Sequence, residues 1–328
     1  TPARRRMITP GLGRKLIVAI VLAVAVVAAL GLLSDAGRLA LSLSSFHWAL
    51  VPAILALTLG NYGLRFVKWQ FLMRVLGLPP ISVGHSLRIY FSGLAMTITP
   101  GKVGEWVKSM LLKEATGAPI SATAPIILAE RLSDALAMSL LAMTGLLVFE
   151  FGWGILLVAV ALVVIAIGVS RHQPLARRAL EVAARLPGVR RRAHSLELFY
   201  ASLRSLLGVR TLGLSTALGF VSWSLEGFAF YLVLVGLGVP AEPRLVAFAV
   251  SILAIATLAG AVSMLPGGLA AAEGSIAGLL LLTGVTHDPA LAAAATLLIR
   301  FATLWFGVAV GFAALATLAG GPLRPGVA

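Results

Sequence analysis

The sequence predicts an all-α fold: a polytopic helical membrane protein with two inverted repeats, each containing a broken, re-entrant helix pair. Three observations support this prediction. The 328 residues are 59% hydrophobic and only 12% charged, whereas soluble domains carry about a quarter charged residues, so most of the surface must face lipid. Several apolar runs reach the ~20 residues that a membrane-spanning helix needs. A Pro-Gly break occurs twice inside long apolar regions.

Apolar runs predict the order of the helices along the chain. The residue before a proline avoids the α conformation, so the apolar region 83–112 should divide at Pro100 into limbs too short for a comfortable span. We expect these limbs to enter and leave on the same side. A second interrupted pair covers 245–264 and 267–282. Spanning helices are expected at about 16–33, 48–66, 121–149, 154–170, 211–237 and 289–318.

The two interruptions belong to an internal repeat. The sequence PGKVGE at 100–105 is matched by PGGLAAAE at 266–273, and in each copy an arginine follows the glutamate on the next predicted span. Paired breaks of this kind are typical of transporters that bind a polar substrate between two repeats. The pattern therefore favours transport over a purely structural role.

Positive charge predicts the orientation of the repeats. Basic residues gather at 4–15, at 65–74 and at 171–210, where the last stretch holds nine arginines, as expected for cytoplasmic loops. Counting spans with the N-terminus in the cytoplasm places the first interrupted pair on the cytoplasmic side and the second on the outer side. The C-terminus is then also cytoplasmic, and the expected location is the cell inner membrane.

The predicted organisation is a single transmembrane domain over residues 1–328. The first repeat covers about 48–150 and the second about 211–318. A basic cytoplasmic linker at about 171–210 includes an amphipathic stretch that we expect to lie along the membrane surface.

Charged side chains inside the predicted spans are the candidate substrate-binding and translocation residues. Each costs about 2.5–3.5 kcal/mol at the bilayer centre, so they must pair or line a wet cavity. Spacing favours pairing of Glu105 with Arg131 and of Glu273 with Arg300, as structural ion pairs or as pairs that a charged head group opens. The candidates are Lys102, Glu105, Glu130, Arg131, Asp134, Glu226, Glu273 and Arg300.

The interrupted tips are candidate anion sites. Glycine lets the backbone approach a ligand closely, and the half-helix after the first tip presents unpaired N–H groups and a positive dipole end. Lys102 adds a positive charge at the first tip only. Arg65 is interpreted as reaching toward lipid phosphates. Lys108 is interpreted either as attracting an anionic head group at the cytoplasmic entrance or as a solvated or lipid-facing residue. The tip residues are Pro100, Gly101, Gly104, Pro266, Gly267 and Gly268.

Several function classes are not supported. The chain has no cysteine, which removes thiolate catalysis and thiolate metal sites. Its five histidines show no ligand spacing, so no metal and no cofactor is expected. Neither a phosphate-binding loop nor a nucleophile elbow is present, and we expect no enzyme activity. The net charge of +14 is explained by the loop clusters and does not indicate nucleic-acid binding.

A set of short motifs resembles the membrane region of lysylphosphatidylglycerol synthases, the flippase part of multiple-peptide-resistance factors, and more closely the stand-alone members of that superfamily. The resemblance covers about 12–318 and implies translocation of a lipid with a charged head group. No aminoacyl-transferase domain is expected, and other relatives accompany machinery for polyprenyl-phosphate-linked sugars. The motifs are Arg65-x2-Lys68-Trp69, TPGKVGE at 99–105, Glu130-Arg131-x2-Asp134, LPGG at 265–268 with Glu273, and Arg300-x4-Trp305.

The resulting hypothesis is a flippase or scramblase for a phospholipid or a polyprenyl-phosphate-linked lipid. A small-solute or ion transporter is the first alternative. A non-transporting partner of a lipid-modifying enzyme or glycosyltransferase is the second. Membrane lipids are the expected partners, and the sequence leaves the oligomeric state open.

Overall fold

The computed structural model describes residues 35–99, 105–146 and 193–320, together with single helical positions at 21, 25, 28, 157, 161, 164 and 168. Within these ranges the secondary structure consists of helices, and no strand occurs. The helices are α1 (Ala36–Ser44), α2 (Val51–Val75), α3 (Val83–Ala95), α4 (Val107–Thr116), α5 (Ile120–Leu146), α6 (Ala193–Leu206), α7 (Val209–Gly236), α8 (Pro243–Val262), α9 (Ala271–Leu282), α10 (Pro289–Arg300) and α11 (Phe306–Gly320).

Helix lengths confirm a multi-pass membrane protein. Four described helical segments are long and apolar enough to cross a bilayer: Trp48–Val75, Val209–Gly236, Pro243–Val262 and Pro289–Leu318. The first runs nine residues past the predicted end at 66. The helix continues past Arg65 and Lys68 because both side chains point into the protein, where they pair with Asp134.

Both predicted interruptions divide the chain into separate helices. α3 ends at Ala95 and α4 begins at Val107, while α8 and α9 are separated by a 3₁₀ turn at Pro266–Gly268. α8 is longer than a re-entrant limb needs to be, because its 20 residues suffice to cross the membrane. Re-entry therefore stays a prediction for both pairs. Predicted spans 16–33 and 154–170, the linker up to residue 192, and the first tip at 100–104 lie largely or wholly outside the described residues.

The two central helices, α2 and α7, pack against each other in opposite directions. Four residues before α2, His47 donates its backbone N–H to the carbonyl of Gly236, at the end of α7 (3.0 Å). Midway along both helices, Asn61 donates to the carbonyl of Ser222 (2.8 Å). Met73 near the end of α2 shares a buried cluster with Leu212 near the start of α7.

The other helices exchange partners between the two predicted repeats. α3, which begins the first interrupted pair, packs on α11 at the end of the second repeat. In the same way α8, which begins the second pair, packs on α5 at the end of the first repeat. The contacts between the two predicted repeats are therefore reciprocal. They bring residues of both interrupted pairs to one cavity.

Apolar cores occupy the two ends of this bundle. One contains Phe46, Ile54, Phe230 and Ile299, with contributions from α2, α7, α8, α9 and α10. The other lies where α2 ends and α7 begins, and it contains Trp69 of α2, Tyr90 of α3, Leu112 of α4 and Leu206 of α6. The buried charges lie next to these cores: Lys108 lies over the rings of Trp69 and Tyr90, and Arg300 directly follows Ile299.

Candidate functional site

A charged cavity of about 100 Å³ lies between the two interrupted pairs. A volume of this size holds several water molecules. Its described wall carries three guanidinium groups and two carboxylates, a combination that suits a polar or ionic ligand and not an acyl chain. The lining side chains with polar chemistry are Tyr62, Arg65, Thr97, Glu105, Arg131, Trp223, Glu226, Thr257, Arg300 and Thr303.

The second tip forms one wall of the cavity, and Arg300 holds it in place. Gly267 and Gly268 have φ values of 63° and 68°, a left-handed conformation that favours glycine. Arg300 donates one hydrogen bond to the carbonyl oxygen of Gly267 (2.8 Å) and another to the Glu273 carboxylate (2.6 Å). The predicted Glu273–Arg300 pair is therefore confirmed, and it also anchors the tip backbone.

The corresponding pair of the first repeat is confirmed as well. Arg131 on α5 approaches the Glu105 carboxylate at 3.0 Å, and both residues line the cavity. Glu105 lies just before α4, as Glu273 lies in the first turn of α9. The first tip itself, with Pro100, Gly101, Lys102 and Gly104, lies outside the described residues.

Arg65 belongs to the cavity, which contradicts its interpretation as a lipid-facing residue. Its guanidinium stacks over the indole ring of Trp223 at 5.0 Å and approaches Asp134 at 3.4 Å. Asp134 also forms an ion pair with Lys68, whose side chain is 1% exposed. Each partner lies 66 to 69 residues away along the chain, so helix spacing alone could not reveal these contacts.

Lys108 is buried, which contradicts both interpretations made from sequence. Its ammonium group donates to the Glu130 carboxylate (2.6 Å) and lies over the rings of Trp69 (4.8 Å) and Tyr90 (5.3 Å). Aromatic faces attract a cation in a low-dielectric site. This pair is packed beside the cavity and does not line it.

Tyr62 and Thr303 form a contact that no sequence signal predicted. Phe301–Trp305 is a single π-helical turn directly after Arg300, and such turns leave carbonyl groups with altered partners. The Tyr62 hydroxyl donates to the Thr303 carbonyl, and its ring stacks on Phe306. A tyrosine inside a predicted span cannot be distinguished by sequence from an ordinary apolar residue, so only the tertiary structure reveals this hydrogen bond.

The structure thus divides the predicted site residues into two groups. Glu105, Arg131, Glu226 and Arg300 line the cavity together with Gly267 and Gly268, and Glu273 reaches it through Arg300. Glu130 and Asp134 instead bind lysines beside the cavity. Pro266 is buried within the second tip.

Comparison with known families finds a match over most of the chain. Residues 20–311 match the model of the lysylphosphatidylglycerol synthase transmembrane region. The chain belongs to this family. The match includes both interrupted pairs and every cavity residue named above, and it relates the protein to a membrane region associated with lipid handling. No curated protein matches the chain.

Proposed function

We propose that the protein translocates a lipid with a phosphate-bearing head group between the two leaflets. The head group would enter the charged cavity while its acyl chains remain in the bilayer. The observation that carries this proposal is the cavity wall, where Arg65, Arg131 and Arg300 converge from three different helices. Three guanidinium groups around one cavity suit an anionic ligand.

Arginine is well suited to bind the phosphate group. A guanidinium group offers donors in a planar fork that matches two phosphate oxygens. In the structure Arg131 is paired with Glu105, so a phosphate that binds Arg131 would compete with this carboxylate. Glu105 and Glu226 would then be available to a cationic part of the head group or to a proton.

The reciprocal packing supports movement of the two halves around the cavity. Related repeats that meet at a central site can expose it alternately to each side of the membrane. α2 and α7 run in opposite directions, as inverted repeats would require of equivalent helices. Inverted repeats with alternating access are therefore part of the proposal.

Vesicle assays with labelled lipids test the proposal. Purified protein in vesicles of phosphatidylcholine and phosphatidylglycerol should move NBD-labelled phosphatidylglycerol between leaflets, measured by dithionite quenching, faster than protein-free vesicles do. A panel with labelled phosphatidylethanolamine and polyprenyl phosphate defines the head group. Rates equal to those of empty vesicles across the panel would contradict lipid translocation and direct attention to small solutes or ions.

The two cavity glutamate–arginine pairs provide the first mutational test. Glu105→Gln and Glu273→Gln should each lower the translocation rate, because each removes the carboxylate that would displace the phosphate from its arginine and so release the head group. Glu242→Gln is the matched control, since Glu242 is exposed and its side chain caps no helix. Unchanged rates in both cavity variants would remove these carboxylates from the mechanism.

A further inference from the structure

The first repeat contains a buried ion pair that the second repeat replaces with apolar residues. Lys108 lies three residues after Glu105, and Ile276 lies three after Glu273. Glu130 directly precedes Arg131, and Ile299 directly precedes Arg300. Ile276 and Ile299 are almost fully buried, 1% and 0% exposed, within one apolar core. The same fold position therefore accepts either a lysine–glutamate pair or two isoleucines.

Stability does not explain why the ion pair is there. Taking two charges out of water costs several kcal/mol for each ion, and replacing a buried pair with packed apolar residues is often neutral or stabilising. The second repeat makes this replacement within the same chain. The Lys108–Glu130 pair must then serve a purpose that Ile276 and Ile299 do not serve.

The surroundings of Glu130 connect it to the cavity. It is faced by Lys108 from α4, by Tyr90 from α3, and by Arg65 and Lys68 from α2, with Arg131 and Asp134 on its own helix. Arg65 and Arg131 line the cavity as well. An anion that draws either arginine toward the cavity therefore changes the charge around Glu130 and Asp134.

Movement of the first interrupted pair would separate the two charges, because Lys108 lies on α4 and Glu130 on α5. When Lys108 moves away, the buried cluster around Glu130 loses one positive charge, and one proton taken up by a carboxylate of this cluster replaces that charge. When the ammonium group returns, the carboxylic acid releases this proton. One proton is bound and one is released in each cycle, and no other co-reactant is needed.

We propose that the Lys108–Glu130 pair is a proton-coupling site, so that lipid translocation by this protein responds to a proton gradient. This inference rests on the proposed function and adds its energy source. It assigns the coupling to the first repeat alone, because the second repeat has isoleucine at both positions.

The test uses a double variant that copies the second repeat, Lys108→Ile with Glu130→Ile. Vesicles with a pH difference of one unit, and with the membrane potential held at zero by valinomycin and equal potassium, receive NBD-labelled phosphatidylglycerol. At steady state, dithionite quenching measures the label in each leaflet. With one proton coupled to each lipid, the wild-type ratio between leaflets shifts by up to about tenfold, since one pH unit corresponds to that factor. The double variant should give a ratio of about one.

Two controls separate coupling from folding. A second double variant, Lys108→Met with Glu130→Met, has unbranched side chains. These suit the narrow space where the aliphatic part of Lys108 passes close to Gly93. This variant should also give a ratio of about one. Arg38→Ala breaks the exposed pair with Asp288 and should keep the wild-type ratio. Thermal unfolding in detergent shows whether each variant is folded.

Each result distinguishes the two proposals. A wild-type ratio of one despite rapid translocation would overturn the coupling and leave the proposed function intact. A shifted ratio that persists in either folded double variant would place the coupling elsewhere and would also overturn the inference. Absence of any translocation by the wild type would overturn both.

Discussion

Arg300 binds two groups at once, a carboxylate and a backbone carbonyl. Its donors reach Glu273 at 2.6 Å and Gly267 at 2.8 Å, so one side chain fixes both the second interrupted helix and its tip. Lysine has the same charge, but its ammonium group is a compact point and not a planar fork. The shape of the side chain matters here as much as its charge.

Replacing Arg300 with lysine should therefore impair translocation although the charge is retained. Loss of one hydrogen bond to a charged group removes about 1.5 kcal/mol, which corresponds to about tenfold in rate. The dithionite assay in vesicles measures this loss. Arg38→Lys is the control because its pair with Asp288 is exposed, and it should have no effect. Equal rates for wild type and Arg300→Lys would show that charge alone is sufficient.

Single residues also show which ion pairs could be predicted from the sequence. Glu105 with Arg131 and Glu273 with Arg300 could be paired in advance, because each pair recurs at nearly equal spacing and an isolated charge is costly in the membrane. The lipid-facing interpretation of Arg65 and both interpretations of Lys108 were wrong. Their positions at helix ends and on limbs fit a lipid-facing role equally well, and their partners lie on other helices.

At the scale of the helices, the second tip depends on two glycines and on a close approach by α8. A Cβ atom at Gly268 would lie 2.9 Å from the Cα of Gly260 on α8, closer than real Cβ atoms come to backbone. Gly268 also has φ near 68°. Both the backbone conformation and the packing therefore exclude a side chain at this position.

Gly268→Ala should lower the stability of the folded protein by at least about 1–2 kcal/mol from its left-handed backbone alone, with a further loss as α8 shifts. Thermal unfolding in detergent measures the change. Gly274→Ala lies one turn inside α9, where no described atom lies within 4 Å of the new methyl group, and should raise stability by about 0.5–1 kcal/mol. A tolerated Gly268→Ala would mean that α8 and the tip separate readily.

For the whole molecule, the orientation of the two halves is the feature that the proposed function depends on. Ser82 and Glu242 occupy the same place in each half, the residue before the first helix of an interrupted pair. Both are exposed. Because α2 and α7 run in opposite directions, the residues that follow them should lie on opposite sides of the membrane.

Cysteine labelling can test this arrangement without background, because the chain contains no cysteine. In intact cells stripped of their outer layers, Glu242→Cys should react with a membrane-impermeant maleimide, whereas Ser82→Cys should react only after the membrane is permeabilised. Reaction of both after permeabilisation controls for accessibility. If both cysteines react from the same side, the inverted-repeat arrangement is wrong.

The amino-acid sequence by itself determined the membrane class, the two helix interruptions and the two repeated glutamate–arginine pairs. Apolar composition and proline act locally, so they fix the class and the interruptions. A charge isolated in the membrane needs a partner, and few partners were available. Only the tertiary structure decided which side of each helix faces the cavity. In a membrane both the lipid-facing and the core-facing sides of a helix are apolar, so the periodicity that orients a helix in a soluble protein is weak. The partners of Arg65, Lys68 and Lys108, and the contact between Tyr62 and Thr303, therefore emerged only once the helices were packed together.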